Sequence, residues 1–471
     1  MNALIIVPPL ASKPVQYYNL PMGLLYVASA IRGQCDTTIL NLTEHPYWWH
    51  ERIIKYRAKE ADVVFIGGLS VHYRAIKRIV DIVKKYCDIP VIVGGGLVTS
   101  QPEVVAGMIN ADVFVSGEGD EFDMFGEYSN LAHLAIMGMV PRDKLDFLMP
   151  AYDLFNMEMY LGLQRPSDSI YRAVTDFPRD AAIIASRGCP YNCTFCFHPT
   201  GNTYRQRSLY SVFDEIEFLK ETYNINILSV YDECFAMKKE RLVEFCERIG
   251  KMKLHWSCQL RVDGVDQEIM KMLKDSGCYI ISFGIESASN KILANFKKNI
   301  TVQQINNALD WAKQYDIVVQ GNLILGAEEE TEETIAESMK WWEEHREYNL
   351  SVGMVIPYPG TVMYRNAVAA GKIDPVKFLE EDCPVVNCSN VPKSVYDNVE
   401  KKLTMQKAAT IYDVMYGENL DFYGRVQLQF KVKCPHCASE QTKTNFALDA
   451  VGMGVKYCTN CKGRYFMYGG Q

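Results

Sequence analysis

The chain has 471 residues, 48% of them hydrophobic and 23% charged, a balance typical of globular proteins that excludes a disordered or membrane-embedded class. That length exceeds one ordinary core and predicts about three domains. A formal net charge of −8 and a pI near 5.6 exclude the overall basic footprint of a dedicated nucleic-acid binder. The apolar start, Met1 to Leu10, lacks a basic n-region and ends in Pro8-Pro9, so it reads as a first strand and not a signal peptide. No run of about 20 apolar residues predicts a membrane span. Of the 15 cysteines, seven fall in two metal-type clusters and the rest are scattered, which fits a reducing, cytoplasmic setting.

Residues 1 to about 125 alternate strand and helix patterns, as expected for a doubly wound, Rossmann-like α/β domain. Strands are predicted at 3–7, 37–41, 62–67, 89–94 and 113–116, with helices at 23–31 and 73–85. Ligands of such sheets bind beyond the carboxyl ends of the strands. Those ends carry Pro8-Pro9, Gly67-Gly68-Leu69-Ser70, Gly94-Gly95-Gly96 and Gly117-Glu118-Gly119, while Pro21 and Gly23 open the first helix. Glycine there lets the backbone approach a large flat ligand. No Gly-x-Gly-x-x-Gly follows the first strand, which weighs against a dinucleotide site. Residues 126–180, broken by Pro141, Pro150, Pro166 and Pro178, are expected to be a linker.

From Ala181 the alternation resumes, with six strands predicted at 181–186, 225–231, 255–261, 279–285, 317–325 and 351–357. Helices are predicted between them at 209–221, 239–250, 265–275 and 303–315. Six parallel units make a partial β/α barrel over 181–374, whose chemistry gathers at the carboxyl ends of the strands. Asp232-Glu233, Arg261, Glu286-Ser287 and Gly326-Ala327-Glu328-Glu329 stand at those ends. After the first strand comes Arg187-Gly188-Cys189-Pro190-Tyr191-Asn192-Cys193-Thr194-Phe195-Cys196. Its three thiolates are one fewer than a cubane iron-sulfur cluster normally takes, so one iron would stay open for a ligand. Trp341-Trp342 and Trp48-Trp49 read as packing or surface cover, and His72 and His198 as packing or hydrogen-bonding residues.

Residues 375–431 are expected to be helical and mixed, with the clearest helix at 396–416. Beyond them, Cys434-Pro435-His436-Cys437 and Cys458-Thr459-Asn460-Cys461 are separated by 20 residues. Two such knuckles predict a four-cysteine zinc ribbon at 432–471, although iron could use the same ligands. A ribbon this small would need its metal to fold. The run 463–468 could dock nucleic acid, a protein or the barrel itself.

The cysteine spacing, with Phe195 before the third cysteine, resembles the radical S-adenosylmethionine (SAM) superfamily. The glycine-rich strand ends and Leu20-Pro21-Met22-Gly23-Leu24 resemble the cobalamin-binding domain that precedes many of its barrels. Together the resemblance runs from Met1 to Thr361, where Ile356-Pro357-Tyr358-Pro359-Gly360-Thr361 also resembles the family and would shape the substrate mouth. It implies that Cys189, Cys193 and Cys196 hold a [4Fe-4S] cluster whose open iron takes SAM. One electron would then release a 5'-deoxyadenosyl radical. It further implies that Asp232 or Glu233 accepts from the SAM amino group and that Glu286 contacts its ribose or methionine part. The strand-five segment, with Ile324 and Gly326, would line adenine. The family's Gly-x-Ile-x-Gly-x-x-Glu departs here in having Asn322 as its first residue. Cobalamin would lie over Pro8, Pro21, Gly23, Ser70, Gly94, Gly95, Gly96, Gly117, Glu118 and Gly119. The motif that supplies a lower cobalt histidine elsewhere is absent, and Leu97 stands where relatives often carry histidine. The methylthiotransferases need three further cysteines in this domain, where only Cys35 and Cys87 occur.

The implied activity is cobalamin-dependent methylation of an unactivated carbon. A cyclisation or rearrangement with the same cofactors is the alternative, and a zinc-ribbon binding protein with an inactive barrel is the reading from another class. A small, natural-product-like substrate and a reducing electron donor would be the partners, with a macromolecular substrate left open.

Overall fold

The computed structural model describes residues 1–10, 20–121, 135–139, 145–146, 149–164, 174–175, 178–404, 408–420, 426–445, 453–458, 460–461 and 464–468. Pro141, Pro166 and Gly463 lie outside the described residues. The chain divides into two compact units. One comprises Met1–Met157, Arg187–Ser208 and Ile356–Cys388, the other Glu158–Ser186, Leu209–Val355 and Ser389–Gln471.

The first unit is built on a six-stranded parallel sheet in the order β2-β1-β3-β4-β5-β6. Its strands are β1 (Asn2–Val7), β2 (Asp36–Asn41), β3 (Val63–Gly67), β4 (Val91–Gly94), β5 (Val113–Ser116) and β6 (Ala135–Gly138). Leu4, Ile5, Ile6, Val63, Val64, Val91 and Val93 are all buried, as continuous apolar runs should be in a parallel sheet covered on both faces. The chain steps from β1 outward to β2, then back across to β3 on the other side. That reversal opens a crevice at the carboxyl ends of β1 and β3. β6 pairs in parallel with β5, so the segment expected to be a linker contributes a sixth strand. At four residues ending in glycine, it is too short for its alternation to stand out.

The second unit carries another six-stranded parallel sheet, Asp180–Ile183, Ile227–Val230, His255–Leu260, Cys278–Glu286, Val318–Leu325 and Asn349–Met354. Each strand pairs in parallel with the next in sequence, the topology of a partial β/α barrel. Side-chain caps fix where several intervening helices start. Asp266 accepts from Ile269 N at 2.7 Å, and Thr301 forms a reciprocal box with Gln304, each satisfying amides the helix leaves unpaired. Trp256 is fully buried against Phe245, ring centroids 5.0 Å apart. Trp341 and Trp342 are buried too, and the Trp342 indole donates to Leu350 O at 2.9 Å, so this pair packs. Trp48, by contrast, is 77% exposed.

The expected helix 396–416 is corrected by the structure. A helix covers Lys393–Thr404, and Ala408–Leu420 is a strand. Lysines 401 and 402 close the helix where cations favour its C-terminus, and Thr410, Ile411, Tyr412, Val414 and Tyr416 suit a pleated surface better than a helix. This strand joins Val426–Lys433, Glu440–Asn445, Arg464–Tyr468 and Met453–Tyr457 in a five-stranded sheet. The tail therefore has more scaffold than an isolated ribbon. Among the described residues no helix is long and apolar enough to cross a membrane.

Candidate functional site

The three-cysteine loop lies in the first unit. Cys193 is buried, Cys189 and Cys196 are partly exposed, and none is in a disulfide. The Cys196 amide donates to Cys193 O at 3.2 Å, Thr200 Oγ1 accepts from Gly188 N at 2.9 Å, and Met363 N donates to Thr194 O at 2.9 Å. A turn tied at both ends presents three soft thiolate donors, a set that suits iron-sulfur ligation. The cysteine residues therefore fit the cluster that the motif implies.

Arg187, at the head of the loop, is buried between two carboxylates. Its Nη1 donates to Glu118 Oε2 at 2.5 Å and to Asp120 Oδ2, while Arg205 Nη2 donates to Glu118 Oε1. Burial alone would lower the Arg187 pKa, but the Asp120 and Glu118 charges outweigh it and raise it. Removing one partner would leave an uncompensated buried charge, at a cost of about 3–5 kcal/mol. Glu118, expected to touch cobalamin, thus has both carboxylate oxygens engaged by arginines.

The glycine-rich ends of β3 and β4 meet closely in the same unit. Gly95 has φ +83°, and a Cβ there would stand 2.9 Å from the N and O of Gly68. Only glycine combines that left-handed backbone with so close an approach. A Cβ on Gly23 would meet nothing within 4 Å, and Leu69 is 53% exposed. The glycines let the two turns approach each other closely, with Leu24, Leu69, His72 and Ile76 packed against them, and the exposed Leu69 side chain offers an apolar contact for a corrin. Gly94 and Gly96 belong to the end of β4 and the turn after it, and Gly119 to the turn after β5, while Thr99 Oγ1 accepts from Gly117 N at 2.9 Å. Pro21 caps the helix Met22–Ile31, and Pro8 follows β1. Ser70 is buried at the start of a short turn in which His72 Nδ1 accepts from Leu69 N at 3.1 Å. Burial lowers the His72 pKa, in keeping with that acceptor role. Leu97 is fully buried, so it contributes to the core.

In the second unit the strand-end residues divide by role. Asp232 is buried and accepts from Ala185 N at 2.7 Å and Ser186 Oγ at 2.6 Å; burial pushes its carboxyl up to about 6. Of the pair left open for the SAM amino group, Asp232 is committed to ordering the chain ahead of Arg187, and Glu233 is the more exposed. Glu286 has φ +63° and pairs with Lys298 Nζ at 3.1 Å. Both side chains crowd the position a Cβ on Gly284 would take. Arg261 is held by Asp263 and donates to Lys298 O at 2.8 Å. A non-glycine residue in this backbone region stores strain of a kind concentrated at functional sites. Ser287, however, is buried against Ser338 Oγ at 3.2 Å and accepts from Ser289 N at 3.1 Å, which are packing contacts.

The sequence reading missed Glu330. Glu329 of the expected motif is exposed, and it is Glu330 that turns back to accept from Gly326 N, with Tyr396 OH donating to it at 3.3 Å. Ile324 is half-buried in the strand that precedes this turn. Burial pushes the Glu330 carboxyl up to about 7. Because the folded value lies above the unfolded one, this group's contribution to stability falls as pH rises from the ordinary carboxylate range through 7. Between pH 6 and 8 the native chain should lose about 1 kcal/mol that Glu330→Gln does not lose. Anaerobic denaturant unfolding of both proteins at the two pH values checks this, and equal slopes would refute it.

In the tail, Cys434, Cys437, Cys458 and Cys461 bring their sulfurs within 4.8 Å of one another. His436 N and Cys461 N each donate to a cysteine sulfur at 3.4 Å. The hydrogen bond from Ser439 is the main cause that draws the Cys437 thiol down to about 5. Four converging thiolates fit a closed, structural zinc site.

The sequence model of the B12 binding domain matches residues 12–124, and that of the radical SAM superfamily matches residues 183–341. An uncharacterized methyltransferase of Pyrococcus horikoshii is 27% identical over 396 residues, 78% of this chain and 83% of that protein. The anaerobic magnesium-protoporphyrin IX monomethyl ester cyclase of Rubrivivax gelatinosus is 27% identical over 230 residues, 48% of this chain but only 40% of the cyclase. Among solved structures, the radical SAM methyltransferase TsrM of Kitasatospora setae, with cobalamin and a [4Fe-4S] cluster bound, superposes with a TM-score of 0.61 at 17% identity. That superposition covers 79% of this chain and 76% of TsrM, and shows a shared fold. The chain thus carries a B12-binding domain over residues 12–124, followed by a radical SAM domain over residues 183–341.

Proposed function

We propose that this chain is a cobalamin-dependent radical SAM methyltransferase that places a methyl group on an unactivated carbon of a small molecule. The carrying observation is that the three-thiolate loop and the glycine-rich ends of the first sheet fall in one compact unit. When bound, the cluster and SAM supply a carbon radical and cobalamin supplies a transferable methyl group. Cys189, Cys193 and Cys196 hold the cluster and leave one iron for SAM. Glu233 accepts from the SAM amino group, while Glu286, held by Lys298, contacts the ribose or methionine part of SAM. Ile324 and the turn that Glu330 braces at Gly326 line the adenine. The Gly95–Gly68 contact keeps the corrin surface flat. A reducing protein or small donor delivers the electron.

The relative from Pyrococcus horikoshii supports the methyl-transfer reading, because the similarity extends over most of both chains. The cyclase relative supports a second reading, in which the same cofactors close a ring. Isotopic label in the SAM methyl group separates them. A product carrying the labelled carbon and heavier than its substrate by one CH2 is the expected result with a tetrapyrrole or other small-molecule acceptor. A product without label, lighter than its substrate by hydrogen, would favour cyclisation.

A further inference from the structure

We propose that Arg187 and Phe197 are positioning residues that clamp the three-cysteine loop onto the carboxyl-end turns of the first sheet, so that the cluster and cobalamin sites move as one rigid body. This rests on the cofactor reading above and deepens it. The loop follows a strand of the second sheet in sequence, yet Arg187–Ser208 belongs to the compact unit of the first sheet. Two separate contacts hold it there, one on each side of the cysteines.

On the N-terminal side, Arg187 meets Glu118 and Asp120, and Arg205, from beyond the third cysteine, joins Glu118 to complete a buried group of two cations and two anions. The Arg187 guanidinium also lies 4.7 Å from the Tyr26 ring centroid. A planar guanidinium fixed by two carboxylates and a ring has little freedom to swing. Glu118 and Asp120 sit in the turn just after β5, so the fork ties the first residue of the loop to the cobalamin-side edge. On the C-terminal side, Phe197 follows the third cysteine directly. A Cβ on Gly96 would lie 3.5 Å from the Phe197 ring, and one on Gly360 only 2.5 Å from it. Phe197 therefore fills space that Gly360, beside Thr361, leaves open, and lies in van der Waals range of Gly96 at the end of β4.

Such a clamp serves a reaction in which two cofactors act on one substrate. Rate falls steeply when reacting groups depart from productive geometry. The same contacts explain why Glu118, although in the glycine-rich turn, is engaged by arginines.

The test uses the full chain, reconstituted without oxygen with cluster and hydroxocobalamin, as native protein and as Glu118→Gln and Phe197→Leu. Iron and cobalt are counted, and the magnetic coupling between reduced cluster and cob(II)alamin is read by pulsed electron paramagnetic resonance. Amide hydrogen exchange over 187–197 is followed in parallel, with and without cobalamin. Expected in both variants are full iron and cobalt, a broadened distance distribution and at least tenfold faster exchange in the loop. Full iron and cobalt with an unchanged narrow distance and unchanged exchange would overturn the clamp. Cobalt lost from Glu118→Gln alone, with exchange unchanged, would make Glu118 a direct cobalamin contact and also overturn it. Native protein that takes up no cobalt would defeat the cofactor reading instead, and loop exchange would then decide the clamp by itself. Phe197→Leu, which buries no charge, covers the case in which Glu118→Gln does not fold.

Discussion

Replacing Cys196 with alanine is expected to reduce 5'-deoxyadenosine release to the level of a reaction without enzyme. Ligand number sets this outcome. Three thiolates and one open iron already make the minimum set for a cluster that binds SAM, so no spare protein ligand exists in the loop to replace a lost one. Cys196 is partly exposed and sits in a turn whose amide already donates to Cys193 O. Alanine keeps that backbone bond and removes only the sulfur, so the variant should fold. Cobalamin uptake should persist, because Gly95 and its neighbours are untouched. Chromatography of anaerobic reactions measures the nucleoside, and unchanged release would remove the cluster assignment.

Gly95→Val should have the second large effect, loss of cobalamin with retention of iron. Valine must either hold φ +83° or drive its Cβ into Gly68 backbone 2.9 Å away. A β-branched residue in the left-handed region costs about 1–3 kcal/mol, and neither turn can relax without deforming the other. The deformation falls on the surface proposed for the corrin, while the cysteines keep their own turn. Cobalt retained after gel filtration should fall to a small fraction of the native amount, with iron unchanged. Full cobalt in this variant would move the cobalamin site elsewhere.

The features legible in the sequence were those carried by local spacing. Cys189, Cys193 and Cys196 announce a metal loop because their interval is short and needs no tertiary information. The alternating apolar strands and helices gave both parallel sheets for the same reason, since burial on both faces leaves long unbroken runs such as Leu4 to Val7. Side-chain partnerships were not legible. Glu118 lies between two glycines, and nothing local in the sequence announces its partners Arg187 and Arg205, which are 69 and 87 residues away. Asp232 and Glu233 are adjacent carboxylates in the sequence, and nothing local announces that Asp232 accepts from Ala185 N and Ser186 Oγ. Glu330 stood one place beyond the motif glutamate, and only the turn's geometry shows which carboxylate folds back. Ala408–Leu420 was absorbed into a helical pattern because Lys401 and Lys402 end the real helix without a glycine or proline to mark the stop.

A cobalamin-dependent radical SAM methyltransferase must hold both a SAM-cleaving cluster and cobalamin in one chain. Iron and cobalt content, with the visible spectrum, of the full chain reconstituted without oxygen in the presence of hydroxocobalamin tests it most directly. Stoichiometric cobalt together with an iron-sulfur absorption band is the expected result. Iron without retained cobalt would contradict it, leaving a radical SAM protein whose first sheet serves another ligand.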